Sequence, residues 1–77
     1  MRRIQILGTG CAKCQKLATV ADEAAKSLGS PYELQKVTDL KQIMSFRVMS
    51  TPALVVDGVV KLAGRIPTLD EAKQLIG

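Results

Sequence analysis

The residues best suited to chemistry are two cysteines, Cys11 and Cys14, which are separated only by Ala12 and Lys13. A cysteine thiolate is a strong nucleophile and a good ligand for soft metal ions. Two sulfurs at this spacing, at the start of a helix, are close enough to form a disulfide. The chain holds no other cysteine and no histidine, which excludes a four-ligand Cys/His zinc site within one chain.

The sequence around the pair predicts a strand, a loop and then a helix. Residues 3–7 alternate polar and apolar side chains as far as Ile6, as in a strand, and residues 8–10 are rich in glycine. From about Ala12 to Leu28 the apolar residues recur at helical spacing. The two cysteines are therefore expected where the first strand hands over to the first helix.

This placement favours thiol–disulfide exchange. The unpaired N–H groups and partial positive charge of a helix N-terminus stabilise a thiolate, and Lys13 adds a nearby cation. Cys11, at the tip of the helix, is expected to be the exposed nucleophile. Cys14, one turn further, is expected to be the resolving thiol that breaks a mixed disulfide.

Two other interpretations of the pair remain open. Small heavy-metal domains also carry Gly-x-Cys-x-x-Cys after a first strand and hold Cu(I) on the two thiolates, a pattern that residues 9–14 partly fit. Those domains end on a strand, and they usually have Met where this chain has Thr9. In the third interpretation the cysteines are small buried apolar residues. Gly8 and Gly10 argue against deep burial because they predict an exposed turn.

The rest of the chain predicts five further elements. Asp57-Gly58 is a strong hairpin signal, and Thr68 with Glu71 forms a T-x-x-E capping box. Gly29 is expected to end the first helix. The predicted elements are a strand at Tyr32–Val37, a helix from Thr38-Asp39 to about Phe46 with Leu40, Ile43 and Met44 on one face, strands at Ala53–Val56 and Val59–Ala63, and a last helix through Ile76. Met44 and Met49 are expected to fill the core.

The element order defines the fold class. Strand, helix, strand, helix, strand, strand, helix is an α/β arrangement, βαβαββα, with a four-stranded mixed sheet flanked by three helices. The first two strands should be parallel because a helix joins them, and the last two should form an antiparallel hairpin. A chain of 77 residues is expected to form one domain over residues 1–77.

Composition narrows the range of functions. The net charge is +4, but the basic residues form no run, which is typical of a solvated surface rather than a nucleic-acid site. The only aromatic residues are Tyr32 and Phe46, too few to stack bases. We see no apolar run near ~18 residues and no apolar signal core, so we expect a cytoplasmic monomer that does not bind membranes.

Four segments resemble the small archaeal and bacterial thioredoxin-like redox proteins of glutaredoxin size. They are G-T-G-C-A-K-C, the T-P before a strand, D-G-x-x-K and G-R-I-P-T-L-D-E. They occur in the order seen in that family, and the resemblance covers nearly the whole chain. The sequence departs from better-known thioredoxins in having Gly10 rather than Trp before the first cysteine. It also lacks a Pro between the cysteines and the Tyr of many glutaredoxin motifs.

The resemblance implies a thioredoxin fold with the C-x-x-C at the head of the first helix. It implies that Pro52 is cis and sits against the active site, so that the backbone of Thr51 faces a docked polypeptide. From their positions, Gly10 and Lys13 could also support the site and Arg65 could reach its rim; the alternatives are a simple turn residue for Gly10 and solvated surface side chains for Lys13 and Arg65. The redox group would be a Cys11–Cys14 disulfide, with no bound cofactor or metal. Its partners would be protein disulfide substrates and an upstream reductase, either a flavoprotein or another dithiol carrier.

Overall fold

The computed structural model describes residues 2–8, 12–29, 31–48 and 50–77. Their elements follow the predicted order and nearly the predicted bounds. They are strand β1 (Arg2–Leu7), helix α1 (Ala12–Leu28), strand β2 (Tyr32–Val37), helix α2 (Leu40–Ser45), strand β3 (Ala53–Val56), strand β4 (Val59–Ala63) and helix α3 (Leu69–Ile76).

The four strands form one mixed sheet in the order β2-β1-β3-β4. β1 runs parallel to β2, with Ile6 beside Lys36 and Leu7 beside Val37. β3 runs antiparallel to both β1 and β4, and Leu7 pairs with Ala53. The α/β class and the mixed sheet with three helices are therefore confirmed.

The sheet separates two apolar clusters because successive side chains of a strand point to opposite faces. Ile6 and Leu54 lie on one face, in the larger cluster, which α1 and α3 cover. Leu7 and Val55 lie on the other face, in a smaller cluster that includes Ile43 of α2. Aliphatic side chains and alanine form most of both clusters, as the scarcity of aromatic residues requires.

Two turns match their sequence signals. Gly29 ends α1 with a φ of 71°, and its N–H donates to the Lys26 carbonyl at 3.1 Å. Asp57 and Gly58 have φ values of 52° and 82°, the left-handed pair that a tight β3–β4 hairpin needs. The backbone N–H of Asp57 also donates to the Arg3 carbonyl at 2.8 Å, which ties the hairpin to β1.

Helix α2 differs from its prediction. Only Ile43 is buried, while Leu40 and Met44 are 62% and 67% exposed. The helix has six residues and the apolar cluster beneath it is small, so a single side chain fills the contact. The prediction that Met44 fills the core is therefore wrong, and Met49 lies outside the described residues.

The capping box of α3 is only half formed. The Thr68 hydroxyl accepts from the Glu71 N–H at 3.2 Å, as predicted. The Glu71 carboxylate binds the Arg65 guanidinium through both of its oxygens. The cap is thus combined with an ion pair to the preceding loop.

A side-chain hydrogen bond links the start of β1 to the end of α3. The Arg2 guanidinium donates from Nη1 to the Ile76 carbonyl at 3.0 Å, across 74 positions of sequence.

Among the helices of the described ranges, none has the length and hydrophobicity needed to cross a membrane.

Candidate active site at the head of the first helix

Cys14 lies in the first turn of α1, on the side of the helix that faces the sheet. It begins the buried stripe of that helix, which continues through Leu17, Ala18 and Ala21, a spacing that places these side chains on one helical face. The residue is 6% exposed. Position 14 thus gives the thiol a buried location at the end of α1 where the backbone N–H groups have no partner within the helix.

Gly8 directly contacts this thiol. A Cβ atom added at residue 8 would lie 2.2 Å from the Cys14 Sγ and 3.0 Å from its Cβ. Gly8 is itself buried, and its N–H donates to the Val37 carbonyl at 3.0 Å, continuing the sheet beyond β1. Because Gly8 is buried, the expectation that it marks an exposed turn is wrong. Its lack of a side chain instead leaves space for the Cys14 sulfur.

Pro52 lies at the same end of the sheet as Gly8. Leu7 pairs with Ala53, so the next residue of β1 and the residue before β3 are neighbours across the antiparallel ladder. The Thr51–Pro52 peptide bond is cis, as the resemblance implies. Pro52 is fully buried, whereas Thr51 is exposed. The proline thus supports this end of the sheet, and Thr51 remains accessible from outside.

Gly64 is hydrogen-bonded to the backbone of Pro52. The Gly64 N–H donates to the Pro52 carbonyl at 2.8 Å, and Gly64 has a φ of 81°. A Cβ on residue 64 would also lie 3.0 Å from the Cβ of Ser50. Both the backbone conformation and the space at this position therefore favour glycine.

A small cavity of about 80 Å³ opens beside Cys14. Its lining residues are Ile6, Gly8, Cys14, Gln15, Lys36 and Thr38. Pockets for drug-sized ligands and cofactors typically have volumes of about 300 Å³ or more. The cavity is smaller than such pockets and has room for water beside the thiol.

Lys36 reaches this cavity from the edge strand. It is paired in register with Ile6, so its side chain lies on the sheet face that α1 covers. The sequence carried a signal for this, since Tyr32, Leu34 and Lys36 alternate along one face of β2. From the sequence, no role was predicted for Lys36.

The other predicted site residues have different outcomes. Cys11 and Gly10 lie outside the described residues. Lys13 is exposed on the first turn of α1, next to Cys14. Arg65 is held by Glu71, and this partner raises the pKa of Arg65 and lowers that of Glu71, through hydrogen bonding first and charge attraction second. The ion pair ties the exposed Arg65 side chain to the first turn of α3.

Comparison with known proteins agrees with this architecture. A family model described as a thioredoxin domain matches residues 2–77. A thioredoxin of Methanothermobacter thermautotrophicus is 42% identical over 76 residues, covering 99% of each chain. A thioredoxin of Methanocaldococcus jannaschii is 38% identical over 71 residues, covering 92% of this chain and 81% of the relative. With a buried cysteine at the head of α1, a cis proline at the same end of the sheet as Gly8, and similarity along residues 2–77, this chain belongs to the thioredoxin family.

Proposed function

We propose that this protein carries out dithiol–disulfide exchange through Cys11 and Cys14, as a cytoplasmic reductant or electron carrier for protein disulfides. Membership of the thioredoxin family supports thiol–disulfide oxidoreductase activity in general. The observation that carries the specific assignment is the position of Cys14, in the first turn of α1 against Gly8. A buried thiol there, three residues after a second cysteine, is placed to act as the resolving group.

The exchange proceeds in two steps. The Cys11 thiolate attacks one sulfur of the substrate disulfide, the S–S bond breaks, and the other substrate sulfur leaves as a thiolate. Cys14 then loses its proton and attacks the Cys11 sulfur, which forms a Cys11–Cys14 disulfide and releases the second substrate thiol. Two electrons pass from the protein dithiol to the substrate, and no bound cofactor takes part.

The burial of Cys14 gives the two cysteines separate roles. A large substrate has little access to a sulfur that is 6% exposed, so the intermolecular attack falls to Cys11. The second attack is intramolecular and needs only a short approach of Cys14 to the mixed disulfide. Its speed then depends on how closely the protein positions the Cys14 sulfur.

The surrounding residues help to dock the substrate, and a separate reductase restores the dithiol form of the protein. Thr51 is exposed next to buried Pro52, where its backbone would add main-chain hydrogen bonds to an extended substrate. Lys13 supplies a positive charge beside the pair. An upstream reductase, a flavoprotein or another dithiol carrier, returns the disulfide to the dithiol.

The first test is the reduction potential of the pair, measured in thiol redox buffers with mass-spectrometric readout. A reversible two-electron couple between about −180 and about −300 mV is expected. The Cys14→Ser variant should accumulate a mixed disulfide with a peptide substrate, and Cys11→Ser should not. If no Cys11–Cys14 disulfide forms at any buffer redox potential and the protein binds Cu(I) tightly, soft-metal transfer would be supported instead.

A further inference from the structure

Three lysines surround the Cys14 end of α1. Lys13 and Lys16 lie on its first two turns, and both are exposed. Lys36 is exposed on edge strand β2 and borders the cavity of Cys14. The positive charges therefore lie on both sides of the buried thiol.

Shallow grooves connect these lysines into one surface. The first groove is lined by Ala12, Lys13, Gln15, Lys16, Thr19 and Ile66. The second is lined by Gln15, Ala18, Thr19, Asp22, Leu34 and Lys36. Gln15 and Thr19 border both grooves, and Gln15 also borders the cavity of Cys14. We call the exposed surface formed by Lys13, Lys16 and Lys36 the basic face.

The protein itself does not neutralise the basic face. The ion pairs of the described ranges involve the cations Arg3, Lys26 and Arg65, and none of the three lysines. The one carboxylate that lines either groove, Asp22, accepts from the Tyr32 hydroxyl and lies 3.1 Å from the Lys26 ammonium. The first turn of α1 carries no acidic residue, and its helix dipole adds positive potential there.

We propose that the basic face docks protein partners whose reactive disulfide or dithiol is flanked by acidic side chains. The inference rests on the proposed function, because it identifies which substrates and reductases reach Cys11 and Cys14 fastest. Opposite charges on two approaching surfaces raise the association rate and suppress partners of the wrong charge. A surface that borders the cavity of Cys14 favours a protein partner over a nucleic acid, which would gain nothing from that position.

The test uses two synthetic peptide disulfides with the same cysteine core, one flanked by glutamates and the other by lysines. The reduced wild-type protein should reduce the glutamate peptide about tenfold faster at low salt. The preference should fade at high salt, where exposed charges are screened. The readout is the ratio of the two rate constants, so a general change in cysteine reactivity cancels.

Charge reversal locates the effect. Lys16→Glu should remove most of the preference for the glutamate peptide. Lys61→Glu is the matched control: it changes the net charge equally, but Lys61 is exposed on β4, at the opposite edge of the sheet. That variant should keep the preference and also the wild-type rate with a small uncharged disulfide.

Three results would overturn the proposal. They are equal rates with both peptides, an equal loss of preference in Lys61→Glu, and binding of a single-stranded RNA oligomer that depends on Lys16 without any peptide preference. Failure of the wild-type protein to reduce even the small uncharged disulfide is a different result, since it would contradict the proposed function itself.

Discussion

Gly8 and Cys14 are in such close contact that a single methyl group on residue 8 would overlap the Cys14 sulfur, at 2.2 Å. The backbone of Gly8 does not lie in the left-handed region, whereas Gly29, Gly58 and Gly64 all have positive φ values. Glycine is therefore needed at position 8 for space alone. The contact couples the end of β1 to the position of the Cys14 thiol.

Gly8→Ala should displace Cys14 and slow the second step of exchange. We expect a loss of about 1–3 kcal/mol in the free energy of unfolding from overpacking. We also expect a mixed disulfide that lives on the order of tenfold longer, because the Cys14 sulfur is misplaced. Urea denaturation and quenched-flow trapping with an alkylating reagent measure the two effects.

The matched control for this variant is Gly29→Ala. A Cβ on residue 29 meets nothing within 4 Å, but the φ of 71° is strained for alanine. It should lower stability by about 1 kcal/mol and leave the lifetime of the mixed disulfide unchanged. Equal lifetimes in both variants would show that the Gly8 contact does not position Cys14.

Tyr32 should ionise at higher pH than an ordinary tyrosine. Its hydroxyl donates to Asp22, and this hydrogen bond, followed by burial and the Asp22 charge, raises the pKa of Tyr32 above 10.0. Because Tyr32 is the only tyrosine and tryptophan is absent, ultraviolet absorption of the phenolate reports on it alone. Asp22→Asn should bring the pKa of Tyr32 back toward 10.0, and an unchanged titration would contradict the contact.

The same pair has a consequence for stability. A phenol whose pKa is raised on folding contributes stability below its unfolded pKa of 10.0, and this contribution is lost as the pH rises through the folded value. Tyr32→Phe should therefore weaken the alkaline loss of stability. Denaturation midpoints of the two proteins, compared at neutral and alkaline pH, measure this change.

The ion pair between Arg65 and Glu71 should stabilise the protein in a pH-dependent way. Arg65 lowers the pKa of Glu71 below 4.5. A depressed carboxyl pKa contributes stability above the unfolded value, which is lost as the pH falls through the folded value. Glu71→Gln should thus reduce stability at neutral pH and flatten the acid side of the stability curve.

Denaturant midpoints from neutral pH down to pH 3 provide the measurement for this ion pair. Asp70→Asn is a suitable comparison, since Asp70 lies in the same first turn of α3 and forms none of the ion pairs of the described ranges. A flattening as large in Asp70→Asn would show that the helix dipole, rather than Arg65, causes the effect.

Ile43 and Met44, which are neighbours in α2, should contribute very differently to the free energy of unfolding. Ile43 is 4% exposed in the smaller apolar cluster, so Ile43→Ala should cost about 2–5 kcal/mol. Met44→Gln should change the free energy of unfolding by less than about 0.5 kcal/mol, because Met44 is in contact with solvent. Urea unfolding of both variants separates the two; a large loss from Met44→Gln would contradict the exposure.

The periodicity of the sequence was sufficient to predict the elements and their order. The alternation in β1, the helical spacing in α1 and the Asp57-Gly58 turn are local signals, and local geometry decides them. The burial of Gly8 was missed because it depends on a contact with residue 14 that no local pattern reveals. The burial of Met44 was wrongly predicted for a related reason. Helical spacing placed Met44 on the same face as Ile43, but the apolar cluster beneath α2 is large enough to bury only Ile43.

For the candidate site, the spacing of the cysteines and the resemblance of Thr51-Pro52 predicted which residues to examine, and the structure has Cys14 at the head of α1 and a cis bond before Pro52. They could not predict what surrounds the sulfur. Lys36 reaches the Cys14 cavity only because β2 pairs in parallel with β1 in one register. A shift of one residue would turn the lysine to the other face of the sheet, and strand register is a tertiary property.

The hydrogen bond from Arg2 to the Ile76 carbonyl bears on how this protein can be joined to others. It fixes the start of β1 to the end of α3, and the six residues of β1 place this point about 20 Å from Gly8. A polypeptide attached at either position therefore leaves from the end of the sheet remote from Cys14. The domain can be fused on both sides, or closed by a short linker into a circular backbone, with its thiol end uncovered.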